Sequence, residues 1–116
     1  MKRDPRQHDE NHLAFIRTLP CVICQDNTST EAAHVRMSDL RIAKPITGVS
    51  TKPHDKYTLP LCGAHHREQH KMSERVFWER AGIDPTLMAL AIYSVSGDAE
   101  QAENIMFPAV NVRAAG

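Results

Sequence analysis

The chain lacks most of the features that would classify it by composition. It has no net charge: 14 Lys+Arg are met by 14 Asp+Glu, which does not advertise a nucleic-acid binder. It has one Trp, two Tyr and three Phe among 116 residues, enough for one modest core. Small domains of this size often rely on a metal as a staple. No apolar run approaches the roughly 20 residues of a membrane-spanning helix. The opening MKRDPRQHDE is charged with no apolar stretch behind it, which predicts no secretory signal and a cytoplasmic protein without membrane contact. Three cysteines cannot all pair, so in a reducing compartment they read as metal ligands rather than disulfides.

The charge that is present is unevenly spread. Residues 1–80 carry 13 Lys+Arg against 10 Asp+Glu, and residues 81–116 carry Arg113 against Asp84, Asp98, Glu100 and Glu103. Any polyanion contact therefore belongs to the first two thirds. Length predicts a single α+β domain over 1–116, with a flexible arm at 1–8, a core over 9–72 and C-terminal helices over 73–116. A helix is expected over 9–18 with Asp9 as N-cap and Pro20 beyond its end. Short strands are expected at 30–36 and 56–62, joined by a long loop with Pro45, Gly48 and Pro53. Further helices are expected from Gly63 to His70, from Ser73 to a stop at Gly82, from Asp84-Pro85 to Gly97, and from Asp98 to near Pro108. Phe77 and Trp78 read as core, LMALAIYSV as core or a partner-helix surface, and His8, His12 and His54 as exposed.

The cysteines fall into ligand pairs. Cys21 and Cys24 make C-x2-C in PCVIC, and Cys62 and His65 make C-x2-H in LCGAH. Each spacing places two donors on one turn, and together they form a Cys3His set that suits a closed, tetrahedral, structural zinc. Three unrelated buried thiols are the alternative, but two matched pairs are a rarer coincidence. A redox C-x-x-C is a further option, without the βαβ context it needs.

Two histidines of CGAHHREQH remain. His66 and His70 are four apart on one helix face, about 100° of rotation away from His65. They read either as an open divalent-cation site or as a solvated polar face beside Arg67, Glu68, Gln69 and Lys71. His34, in EAAHVR, reads either as a satisfied core histidine or as a general base beside a metal.

The combination PCVIC, EAAHVR and LCGAHHREQH resembles the zinc-bearing HNH endonucleases, which run C-x2-C, a strand with a catalytic His, a loop, then L-C-x2-[C/H]-H-x3-H. The resemblance covers roughly residues 19–72. The continuation REQHKMSERVFWERAGIDP is similar to small phage and prophage HNH proteins, including those related to phage recombination-enhancement nucleases. It implies a small, treble-clef-like ββα-metal core with a structural zinc and flanking helices. It also implies a DNA endonuclease of low sequence specificity, with a recombination or phage protein as a partner.

Under this resemblance His34 is the general base, and His66 and His70 hold a catalytic Mg, Mn or other divalent cation. Products would carry 5′-phosphate and 3′-hydroxyl ends. The chain departs from the family in two places. Ala33 stands where many members have a further Asp or His ligand, leaving Glu31, water or His34 itself to compensate. No Asn precedes LPLC, and the nearest polar residues are His54 and Asp55. Asp55 reads equally as a partner of His34, an aid to the metal, or a turn residue.

The loop between His34 and Cys62 carries Arg36, Arg41, Lys44, Lys52 and Lys56 against Asp39 and Asp55. These basic residues are the candidate phosphate-backbone contacts, Arg36 foremost because alternation would place it on the strand face of His34. A solvated loop is the common alternative. The reading from a different class is a noncatalytic, zinc-stapled nucleic-acid- or protein-binding module.

Overall fold

Local caps and a short hairpin set the architecture. The computed structural model describes residues 9–37 and 54–108. The order is α1 (Glu10–Arg17), β1 (Thr30–His34), β2 (Thr58–Cys62), α2 (Gly63–Lys71), α3 (Glu74–Ala81), α4 (Pro85–Ser94) and α5 (Ala99–Met106). This is a small α+β arrangement of five helices and a two-stranded antiparallel sheet among the described residues. The expected arm at 1–8, His8, and most of the expected loop, including Arg41, Lys44 and Lys52, lie outside the described residues. None of the described helices is long and apolar enough to cross a membrane.

The helix boundaries follow from capping chemistry. Asp9 accepts the His12 N–H at 3.0 Å, satisfying one orphan donor of α1, with Glu10 and Arg17 placed favourably in the first and last turns. Asp84 and Asp98 do the same for α4 and α5, accepting from Leu87 and Gln101. Pro85 stands at the start of α4, where its missing N–H has no cost. Gly82 closes α3 at φ 71, a left-handed conformation that side chains disfavour, and the Ile83 N–H returns to the Trp78 carbonyl. α4 stops at Ser94, three residues short of the Gly97 expected as its end. Val95 and Ser96 bond back to Ile92 and Tyr93, three residues earlier, and these tighter bonds end the α-helix.

β1 and β2 pair with Thr30 opposite Cys62, Ala32 opposite Pro60 and His34 opposite Thr58. β1 ends at His34 rather than at residue 36, although the Val35 N–H still reaches the Tyr57 carbonyl. Every β2 residue is buried because the knuckle at 21–24 and the helices cover it. Pro60 cannot donate to a ladder, but its carbonyl accepts the Val22 N–H at 2.9 Å and so docks the knuckle on the sheet. α2 lies along β1 and runs in the same direction: His66 meets Glu31, and Gln69 meets the His34 carbonyl.

The core joins both ends of the chain. Ile16, Leu19, Ala33, Val35, Leu59, Leu61, Phe77, Trp78, Ile92 and Met106 are buried in one cluster. Phe77 and Trp78 pack edge to face at 4.9 Å, as core and not as an exposed stacking platform. Removing one of the fully buried branched side chains, as in Leu61→Ala, is expected to cost about 2–5 kcal/mol.

His12 departs from its expected exposure. It is 1% exposed, on the face of α1 that buries Leu13 and Ile16. Its Nδ1 shares a hydrogen bond of 2.7 Å with Ser96 Oγ, and Tyr93 packs edge-on against its ring. A long-range partner lets an imidazole sit where three-residue spacing alone would ask for an apolar side chain. His54 is half-buried rather than exposed, with its ring 6.2 Å from that of Tyr93.

Candidate functional site

The four Cys3His donors meet at the N-terminal end of α2. The knuckle curls tightly, with Gln25 N–H on the Cys21 carbonyl and Gln25 itself at φ 66. This turns Cys21 and Cys24 toward Cys62, the last residue of β2, and His65, in the first turn of α2. Cys21 Sγ and Cys62 Sγ lie 3.6 and 3.3 Å from His65 Nδ1, and Cys24 Sγ lies 3.8 Å from Cys62 Sγ. A tetrahedral zinc with bonds of about 2.3 Å to sulfur and about 2.0 Å to nitrogen separates its ligands by roughly 3.5–3.8 Å. All four donor atoms lie within 4.8 Å of one another, so the set fits such an ion.

The thiols are held unequally. Burial pushes the Cys21 thiol up, but hydrogen bonding from the backbone at Cys24, Cys62 and Ile23 and from the His65 ring outweighs it, and the thiol sits at about 7. For Cys24, the hydrogen bond from the Asp26 backbone pulls down, while burial and the neighbouring thiols push up and prevail. Two adjacent thiols do not both ionise cheaply unless a cation lies between them, so a bound metal would draw both into the thiolate form.

Beside this set, at the end of β1 and on another face of α2, histidines meet carboxylates. His34, at the end of β1, donates from Nε2 to Asp55 Oδ1 at 2.9 Å. Asp55 is 5% exposed, and its second oxygen accepts the Asp9 N–H at 2.6 Å. The Asp55 carbonyl also accepts the Thr58 hydroxyl, which ties the turn at 54–57 to the start of β2. His66 donates from Nδ1 to Glu31 Oε1 at 2.7 Å, and its ring centroid lies 4.9 Å from that of the exposed His70. Among the described residues, the Cys3His set is the one group of three or more donors close enough to hold an ion; His34, His66 and His70 do not form another.

A family profile matches residues 2–95, described as Protein of unknown function (DUF968). The chain belongs to the DUF968 family. No curated protein and no solved structure matches it. The matched span of this DUF968 member includes the Cys3His set, both histidine–carboxylate pairs and all of α4, while α5 lies beyond it.

The candidate phosphate contacts are placed less directly. Because β1 stops at His34, alternation does not put Arg36 on its face. The Arg36 N–H instead donates to both oxygens of Glu74, at 3.2 and 3.0 Å. Lys56 reaches over the ring of Tyr57 at 5.3 Å. Three residues gain importance that sequence spacing did not indicate. Gln69 and Glu74 clamp the backbone that carries His34 and Arg36, and Asp9 serves Asp55 as well as capping α1. Asp9 was visible as a cap; Gln69 and Glu74 had no signal in the pattern.

Proposed function

We propose that this protein is a metal-dependent DNA endonuclease of the HNH type, with His34 as general base. The observation that carries the reading is the His34 Nε2–Asp55 Oδ1 contact. A carboxylate on Nε2 holds the proton there, so neutral His34 presents Nδ1 as a lone pair able to accept a proton from water. Asp55 is then the orienting residue, in the role open where the family's Asn is missing. The succession β1, β2, α2, with His34 at the end of the first strand, agrees with the order of a ββα-metal core.

His66 and His70 would hold the divalent cation, with Glu31 fixing the His66 ring through Nδ1. An outer carboxylate of this kind is the usual support of a metal-binding histidine. When bound, the cation supplies Lewis-acid stabilisation of charge on the scissile phosphate and the leaving 3′ oxygen. The Cys3His zinc would be architectural, because four protein ligands leave it no open position. Basic side chains from the segment after β1 would position the phosphate backbone.

A noncatalytic, zinc-stapled DNA-binding module is the second reading. It is favoured by the lack, among the described residues, of a second group of three donors. Incubating supercoiled plasmid with the zinc-loaded protein and Mg²⁺ or Mn²⁺ separates the two. The nuclease reading expects nicked or linear product from wild type and none from His34→Ala. DNA binding without cleavage, or equal cleavage by both proteins, would favour the module or a contaminant.

A further inference from the structure

Asp55 is supported from a distant helix. Its Oδ2 accepts the main-chain N–H of Asp9 at 2.6 Å, and Asp9 Oδ2 in turn accepts the Tyr93 hydroxyl at 3.0 Å. Capping of α1 uses only the other Asp9 oxygen, on His12 N–H. The Tyr93 contact therefore does something that capping does not require: it fixes the second oxygen and steadies the residue whose N–H is aimed at Asp55. Tyr93 lies on α4, 84 residues from Asp9, and its ring is braced edge-on by His12 at 4.7 Å. The hydrogen bond to Asp9, then burial, raises the Tyr93 pKa, which keeps the hydroxyl a donor.

We propose that Tyr93 and Asp9 are positioning residues that orient Asp55 and, through it, the His34 imidazole, making α4 part of the site rather than packing alone. The proposal rests on the nuclease reading for its effect on rate, but the coupling itself does not depend on cleavage. A carboxylate held at one oxygen can pivot about that contact. A charge-assisted donor on its second oxygen fixes its plane and hence the direction of the first. The chain Tyr93–Asp9–Asp55–His34 places a contact on each oxygen of Asp55.

The test uses the full chain with zinc bound. Tyr93→Phe keeps the ring and removes the hydroxyl. Three readouts are taken: kcat for plasmid nicking with Mn²⁺, KM for DNA, and the His34 ring N–H resonance by NMR. Tyr93→Phe is expected to lower kcat by about threefold to tenfold, the equivalent of one lost hydrogen bond, with KM unchanged. It is also expected to move or broaden the His34 signal.

Asp98→Ala is the control, since it removes the cap of α5 on Gln101 without touching Asp9, His12 or Tyr93. It is expected to lower Tm while leaving the His34 signal and the rate unchanged. A His34 signal and rate at wild-type values in Tyr93→Phe would overturn the proposal. So would a shift in Asp98→Ala as large as in Tyr93→Phe, because that would indicate general loosening. If wild type does not nick DNA, the nuclease reading falls separately, and the His34 signal alone decides: moved by Tyr93→Phe it upholds the coupling, unmoved it overturns it.

Discussion

Where α2 begins, donors from a knuckle, a strand end and a helix turn converge on one point; on another face of the same helix, His66 and His70 do not. The difference lies in what holds each group. The Cys3His set comes from two pairs with two-residue spacing, so local backbone geometry already brings each pair together. Only the docking of the Val22 N–H on the Pro60 carbonyl is then needed to join the pairs. The histidine face is instead made of separate pairs, His34 with Asp55 and His66 with Glu31, each spanning elements far apart in sequence. One face of the helix is suited to hold an ion for architecture, and the neighbouring face, with the end of β1, is suited to hold imidazoles in fixed orientation.

The largest effect should come from the sulfur end. With zinc in the Cys3His set, as proposed, its removal with a chelator, or Cys62→Ser, is expected to take away the tie between the knuckle and α2. Zinc binding in small stapled domains contributes about 10 kcal/mol or more to folding, so the cooperative thermal transition is expected to collapse. Metal analysis with a thermal melt checks this; an unchanged melt after complete metal removal would break the contrast between the two groups. Next, His34→Ala should leave the melt and the zinc content nearly intact while nicking falls on the order of 10²- to 10⁴-fold, as expected for loss of a general base. Comparable loss of folding in His34→Ala would mean the histidine face is architectural too.

A smaller effect is expected for Asp55→Ala, which leaves the proposed base in place but removes the carboxylate on its Nε2. Loss of an outer partner of this kind costs about 10- to 100-fold in rate. A single-turnover assay at saturating DNA reads it directly, and a rate equal to wild type would remove Asp55 from the site.

The smallest effect is a pH dependence of stability behind the histidine face. Burial, opposed by the nearby Asp9 and Asp55 carboxylates, lowers the pKa of His12 below its ordinary 6.5. As pH falls below 6.5 the unfolded chain takes up this proton before the folded one. The His12 contribution to stability is therefore full above that pH and is lost as pH drops toward the lowered folded value. Urea midpoints above and below pH 6.5 should show the decline, and His12→Gln should flatten it.

Much of this was legible because it is local. Asp9, Asp98 and the Asp84-Pro85 pair mark helix starts through bonds to residues three positions ahead, and Gly82 marks an end through its own φ. The cysteine spacings likewise needed no distant partner. Arg36 misled because a strand was expected to continue two residues past His34, whereas that backbone turns to Glu74 on α3. His12 misled because its buried environment is completed by Ser96 and Tyr93, which no spacing near residue 12 reveals.

By itself, then, the order of residues determined the helix starts at Asp9, Asp84 and Asp98, the stop at Gly82, the succession of two short strands and a helix, and the two ligand pairs of the Cys3His set, each through contacts within a turn or a short repeat. Only the tertiary structure decided that Asp55 faces His34 rather than merely forming a turn, that Glu31 faces His66, and that an α4 tyrosine reaches Asp9, whose N–H meets the carboxylate behind the proposed base. These pairings depend on which faces of α1, β1, α2 and α4 pack together, and burial of the shared core settles that choice for the whole chain at once.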